Sequence, residues 1–478
     1  MKKIFSQLAR LENIAFAFLL IFLLWSRLFQ LSKLPATLPH DEMVYAIQAQ
    51  SFVLQGKTLD QRQGFFSLRP SHIMYAEWPA QVMSLGFLLS KQPLLATHLT
   101  SVLMGLTLPF LMALLAYTLW QRADITKATF MVFVLSPLFW QMSRLSYDSF
   151  YALWFYVAGG VLLLQSKRSL ELLSLPVFTV GFFQYQGFKL ILLPWIGFLL
   201  LLWIVTRLPD HKLRSFWRAI LQLRYKLLAL LLGLSLMLFY GLVLLPKQDA
   251  SVRLSSLIFT DTEYLSRVVD TERRLSLNNP LASVLSNKAT AIGLFMLQRL
   301  VGVFNPNTLL LLIEPNVSGF SVWTHGVFYW VELALLFVGL AVLLVRAKTH
   351  LTGLGLLFGV LTLCLPALIN SGGEWYLLRS MFSYLLVTLL AAWGLVYVWR
   401  LPFWRYVVLG VYLLSVLNFT YQYFYRYPII SLDWGNFDER VLARYIVLHQ
   451  AQYPEGQVRV YGPEPEYDFW SYLFYSRL

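Results

Sequence analysis

Long apolar runs, separated by short polar stretches, follow one another along most of the 478-residue chain. They fall near 13–31, 94–119, 126–142, 149–165, 170–186, 187–206, 227–245, 326–345, 351–369, 377–398 and 404–424. A helix needs about 20 apolar residues to cross a bilayer core. The pattern therefore predicts an all-α polytopic membrane protein with about eleven transmembrane helices. The first run, "MKKIFSQLARLENIAFAFLLIFLLWSRLFQL", has the basic start of a signal peptide. Its apolar core is too long and no small-residue cleavage site follows, so it reads as a retained span. Two shorter helical patterns lie between the first two spans. Met43, Val44, Ile47 and Leu54 recur at helical spacing after Pro39, and "PAQVMSLGFLLS" covers 79–90. The tail 426–478 predicts one helix near 436–451 and a strand at "QVRVYG".

Composition agrees. The chain is 58% hydrophobic and 13% charged, where a soluble domain carries about 25% charge. No soluble domain of ordinary size is left over. The one cysteine, Cys364, lies in an apolar run and excludes an intrachain disulfide. The net charge of +14 suggests nucleic acid until the basic residues are placed. With the N-terminus in the cytoplasm, "WQRADITK", "QSKRS", "RLPDHKLRSFWRAILQLRYK", "RAKTH" and "WRLPFWR" all fall inside, as the positive-inside rule requires. The outer segments are then 32–93, 143–148, 184–189, the large loop 246–325, 370–376 and the tail. Reading 79–90 as a span would invert every later loop, so it is laid on the outer surface as an interfacial helix.

Three acidic positions stand out on the outer side. Asp41 and Glu42 in "LPHDEMVYA" open a helical segment, where carboxylates satisfy free N–H groups and the helix dipole. Glu77 sits among aromatics in "HIMYAEWPA", a poorly solvated place that raises proton affinity unless a cation or metal is near. Asp148 in "SRLSYDSFYALW" reads as a cap of the fourth span, with Arg144 one turn earlier as a partner. The topology puts Asp41, Glu77 and Asp148 at one height on one side. Carboxylates clustered so suit a divalent cation (Mg, Mn or Zn), or a general base. Arg144, Lys189, Arg267, Arg299 and Arg379 also lie on this face, against the topology rule. Arg379, a few residues inside the tenth predicted span, is a functional candidate suited to bidentate bonds with a phosphate. Lys189 reads in the same way, or as a snorkelling lysine.

These residues resemble the GT-C superfamily of integral membrane glycosyltransferases, in particular the branch of bacterial protein O-mannosyltransferase-like enzymes and the aminoarabinose transferase of lipid A. The elements that carry the resemblance are "HDEMVYAIQAQSFVLQGK", "YAEWPA" and "SRLSYDSFYALW", with a weaker one in "TEYLSRVVD". The resemblance implies a transmembrane glycosyltransferase domain over 1–425, with surface helices in the first outer loop, and a short extracytoplasmic tail over 426–478. It implies transfer of a hexose or modified sugar from a polyprenyl-phosphate carrier to an acceptor hydroxyl on a protein, lipid or glycan, with inversion. The site would face the outside of a bacterial plasma membrane. By position, Asp41 would be the metal ligand or base, Glu77 and Asp148 would complete the acidic site, and Arg267 and Arg379 would neutralise the carrier phosphate. Arg144 and Lys189 are further substrate-binding candidates. Glu42 is support for the helix start with a secondary role toward the acceptor, and His40 a ligand, second base or polar cap. Two departures put an aminoarabinose substrate in doubt: lipid A-modifying relatives carry Arg and Lys where this chain has Val44 and Trp78.

Two other classes compete. An O-antigen-ligase-like or polymerase-like enzyme favours Arg and His in a large outer loop, and 246–325 holds Arg267, Arg273, Arg274 and His325. A lipid-linked glycan transporter would place its charges near the bilayer midplane and show an inverted repeat, neither of which the sequence displays.

Overall fold

The computed structural model describes residues 2–35, 38–59, 64–70, 75–207, 225–247, 257–277, 280–311, 322, 325–346, 349–370, 377–434, 437–461 and 465–476. The inner loop 208–224, the outer stretch 371–376 and parts of the loop 246–325, all used in the topology reading, lie outside the described residues. Among the described residues the chain is helical, with two isolated β-bridges, Lys57 with Gly64 and Leu257 with Asn370.

Helices stand at each of the eleven predicted segments. They are α1 (Lys2–Leu28), α4 (Pro93–Trp120), α5 (Ala123–Leu135) continued by α6 (Pro137–Met142), α7 (Asp148–Leu163), α8 (Arg168–Phe182), α9 (Leu192–Arg207), α10 (Lys226–Phe239), α13 (Trp330–Val345), α14 (His350–Thr362), α15 (Leu377–Val398) and α16 (Pro402–Tyr421). Six of these stretches are long and apolar enough to cross a membrane by length and composition. The count of eleven is therefore not met helix by helix. The segment 126–142 breaks at Ser136 because Pro137 begins a new helix and disfavours helical backbone at the residue before it. The 16 residues of α7 span about 24 Å, short of the ~30 Å core. The chain is nonetheless an integral, multi-pass membrane protein in its run of apolar helices.

α15 is the central helix: 94% of its apolar window is buried, against 11% for Lys226–Leu244 at the periphery. Its closest partner is α13, and two glycines permit the approach. A Cβ on Gly339 would lie 2.1 Å from the Leu390 carbonyl oxygen, and one on Gly394 would lie 1.9 Å from that of Leu335. Small residues facing each other let helix backbones touch where lipid gives no hydrophobic drive.

The segments that the sequence reading places outside carry α2 (His40–Gln55), α3 (Pro79–Leu89), α11 (Thr262–Arg274) and α12 (Lys288–Val303). α3 has 11 residues, about 16 Å of helix, and packs between α2 and α4. α11 and α12 form a hairpin around Leu265, Val269 and Ala291. α12 rests on the turn Leu365–Leu368, which in turn rests on Gly187–Ile191.

The tail differs from its sequence reading. It forms α17 (Tyr427–Trp434), α18 (Phe437–Gln452) and α19 (Pro465–Tyr475). The residues of "QVRVYG" that are described form no strand, having no neighbouring strand to pair with. α18 and α19 pack together, and α19 packs on α2. Ala443, Phe474 and Tyr475 join the main buried core, so the tail takes its core from the rest of the molecule.

Candidate active site

The site assembles where the N-terminus of α2 meets α7, residues 75–77, residues 185–189 and the start of α15. α2 begins at His40 behind Pro39, which makes no side-chain cap, so Asp41 and Glu42 lie in the first turn and are not the cap. Successive helix residues point about 100° apart, and here that divides the pair. Asp41 is exposed. Glu42 is fully buried, 3.6 Å from His98 Nε2, itself fully buried. Glu42 thus points into the protein and is not placed to touch an acceptor.

Tyr45, one turn along α2, ties the site together. Its hydroxyl donates to Asp148 Oδ2 at 3.0 Å and accepts from the Ala76 amide at 3.2 Å. Asp148 is the first residue of α7, behind Tyr147, and its Oδ1 accepts from the Ser149 amide at 2.7 Å. Tyr75 hydrogen-bonds Asp41 and, from the other side, Tyr467 of the tail. Tyr185 hydrogen-bonds Arg379, two residues into α15, and lies within electrostatic reach of Asp148 and Asp41. Asp41 and Asp148 also bear on one another. The phenols register the crowding. Burial, then the Asp148 and Asp41 charges, pushes Tyr45 well above its ordinary range. Burial, then the Asp41 charge, does the same to Tyr75. Tyr185 is pushed up to about 12, burial and the carboxylates outweighing Arg379.

Glu77 has the cation its surroundings require. Lys189 Nζ donates to Glu77 Oε2 at 2.6 Å and to Gln186 Oε1 at 2.8 Å, and lies 4.1 Å from the Tyr240 ring centre. Gln186 also bonds Glu77 Oε1 and the Tyr75 carbonyl, and Tyr240 donates to Gln186. This cation arrives from another segment, 112 residues from Glu77.

This arrangement bears on the metal expectation. Among the described residues no group of three or more His, Cys, Asp or Glu side chains is placed to hold a metal ion. Asp41, Glu77 and Asp148 do not form such a group: Glu77 pairs with Lys189 and Asp148 accepts from Tyr45.

Arg144 is not the partner of Asp148. It is fully buried and donates to the carbonyls of Ser26, Arg27 and Leu34 at 3.2, 3.0 and 3.1 Å and to the Tyr423 hydroxyl at 3.1 Å. It closes the C-terminal end of α1, where carbonyls lack helical partners, and so anchors the chain that leads into α2. His40 is half-buried, its Nε2 2.7 Å from Glu439 Oε1 of α18. Arg267 is exposed on α11, a helix that packs chiefly on α12. Tyr45, Tyr75, Tyr185, Tyr467 and Glu439 were not singled out from sequence. The available signal was the tyrosine beside each acidic or basic motif, in "MVYA", "HIMYAEW" and "FQYQGFK".

No protein-family model matches the chain, nor does any curated protein sequence. Among solved structures it is similar to the apo oligosaccharyltransferase of Archaeoglobus fulgidus, at 10% identity and TM-score 0.45 over 95% of this chain and 59% of that one. It is similar also to archaeal AglB from the same organism in complex with an inhibitory peptide and a dolichol-phosphate, at 10% identity and TM-score 0.47. ArnT from Cupriavidus metallidurans bound to undecaprenyl phosphate gives 13% identity and TM-score 0.43, over 97% of this chain and 76% of that one. The chain spans about three fifths of the length of the oligosaccharyltransferases.

Proposed function

We propose that this protein is a membrane glycosyltransferase that takes a sugar from a polyprenyl-phosphate carrier and transfers it to an acceptor hydroxyl at the outer membrane surface. The observation that carries the reading is the opposition of two charges across one cluster. An exposed carboxylate, Asp41, lies on one side beside Asp148. A guanidinium, Arg379, lies on the other, with Tyr185 within reach of all three.

Each part has a use. Asp41 takes the proton of the acceptor hydroxyl, whose oxygen attacks the anomeric carbon. The bond from that carbon to the phosphate oxygen breaks, and its electron pair leaves with the phosphate. Attack from the face opposite the leaving group inverts the centre. Arg379 neutralises the departing phosphate, while Asp148, held by Tyr45 and the Ser149 amide, keeps Asp41 and Tyr45 in register. A cleft of about 590 Å³ supports a lipid carrier. It lies between α9 and α14 and is lined by Pro194, Gly197, Phe198, Leu201, Phe358 and Leu361. Its lining suits an isoprenoid chain with its phosphate at the polar cluster. The sugar reads as a hexose or modified hexose, and the acceptor as a protein, lipid or glycan hydroxyl.

The test is transfer by purified protein from a radiolabelled polyprenyl-phosphate sugar. Asp41→Asn abolishes turnover, with thermal stability and carrier binding retained. Full turnover in that variant removes Asp41 from the chemistry and overturns the reading.

A further inference from the structure

The tail reaches the site at four points. The Leu38 amide donates to the Tyr475 hydroxyl at 3.0 Å. His40 Nε2 lies 2.7 Å from Glu439 Oε1, whose second oxygen takes the Ser471 hydroxyl. The His40 ring stacks on Tyr467, with centres 4.1 Å apart and planes within 6°. Tyr467 also bonds Tyr75, which bonds Asp41. Two chains of contacts therefore run from the tail to one carboxylate. One passes through the neighbouring residue, His40; the other passes through two phenols. A phenol has one proton to give. When Tyr75 gives its proton to Asp41, Tyr467 is left to donate to Tyr75.

We propose that the C-terminal tail is part of the active site, and that Glu439 and Tyr467 are positioning residues that hold Asp41 for proton transfer. The proposal rests on the reading of Asp41 as the base. Asp41 needs such support. It is an exposed side chain in the first turn of a helix with no cap, and an unrestrained carboxylate there samples several rotamers. Catalytic groups must be held to about 0.5 Å. Docking and positioning are carried by different residues. α18 and α19 are anchored by buried Ala443, Phe474 and Tyr475, whereas Glu439 and Tyr467 supply the polar clamp. Conservative changes in the clamp leave the tail docked.

The experiment uses full-length Tyr467→Phe and Glu439→Gln proteins, first checked for unchanged melting. Tyr467→Phe keeps the stack and removes the phenol hydrogen bond; Glu439→Gln removes the charge facing His40. Two readouts follow. Amide hydrogen exchange at residues 43–46, the first bonded turn of α2, reports the clamp without reference to activity, and rises about 3- to 10-fold. In the transfer assay kcat falls roughly tenfold with the donor KM unchanged. The acid limb of the pH–rate profile moves up by about one unit in Tyr467→Phe, because a Tyr75 hydroxyl no longer held by Tyr467 bonds the charged Asp41 less well. The other ionisable groups that bear on Asp41 or on its partners are His40, Tyr45, Tyr75, Asp148, Tyr185, Lys189, Arg379 and Glu439, and Tyr467→Phe leaves all of them in place. Unchanged exchange in both variants overturns the proposal. So does raised exchange with an unaltered rate and pH profile, which describes a tail that only packs. If the wild-type protein transfers no sugar, the proposed function fails, and the exchange at 43–46 still decides whether the clamp exists.

Discussion

Replacing Lys189 by Met tests whether the Glu77–Lys189 pair is a structural device. The side chains are 0% and 5% exposed and 2.6 Å apart. At an effective dielectric of about 20 their attraction is roughly 6 kcal/mol, most of which offsets the desolvation of two charges. Removing Lys189 leaves a buried carboxylate with only Gln186 beside it, a loss of about 3–5 kcal/mol. Glu77→Gln together with Lys189→Met removes both charges, keeps an amide that bonds Gln186, and restores most of that loss. The assay is thermal or denaturant unfolding of the detergent-solubilised protein for wild type, Lys189→Met, Glu77→Gln and the double variant, giving a coupling energy. A coupling below about 1 kcal/mol, the range of exposed pairs, refutes the account of a desolvated pair. Donor binding measured on the same four proteins separates the roles. A structural pair predicts that the double variant binds the donor as the wild type does, whereas a Lys189 that contacts phosphate predicts that binding stays lost when stability returns.

Arg379→Ala raises the KM for a polyprenyl-phosphate sugar by about 10- to 100-fold, the range of a charged hydrogen bond, and Arg379→Lys recovers only part because the bidentate fork is gone; an unchanged KM in steady-state transfer counts against a phosphate at this position. Arg267→Ala, on the exposed face of α11, changes donor KM by less than about twofold, and a larger change would bring the outer hairpin into the site. Arg144→Met destabilises the protein by about 3 kcal/mol or more, since several carbonyls lose their donor at once; this is read from the melting of the purified variant. Cysteines at Phe66, 81% exposed, and Arg267 label from outside in intact cells, and one at Lys167 labels only after permeabilisation; the reverse pattern refutes the orientation.

The sequence by itself determined the class of this protein and the place of its helices. Each of these is a local property. An apolar run long enough to cross lipid has no other way to satisfy its backbone, and basic loops mark one side whatever the helices later touch. Asp41 and Asp148 were legible because each stands at the start of a helix next to an aromatic motif. Their partners were not. Glu77 and Lys189 are 112 residues apart, and His40 and Glu439 are 399 apart. No period or composition links such positions; only the packing of α2, α7, α15 and the tail around one level does. The same packing chose between neighbours. Asp41 and Glu42 are equivalent in sequence, both first-turn acids, until the face of α2 that meets His98 buries one and leaves the other exposed. It also drew Arg144 away from Asp148 toward the carbonyls at the end of α1, because a buried guanidinium must be met by several acceptors and that helix end offers them. Tertiary structure therefore decided which charges neutralise each other and which stay exposed.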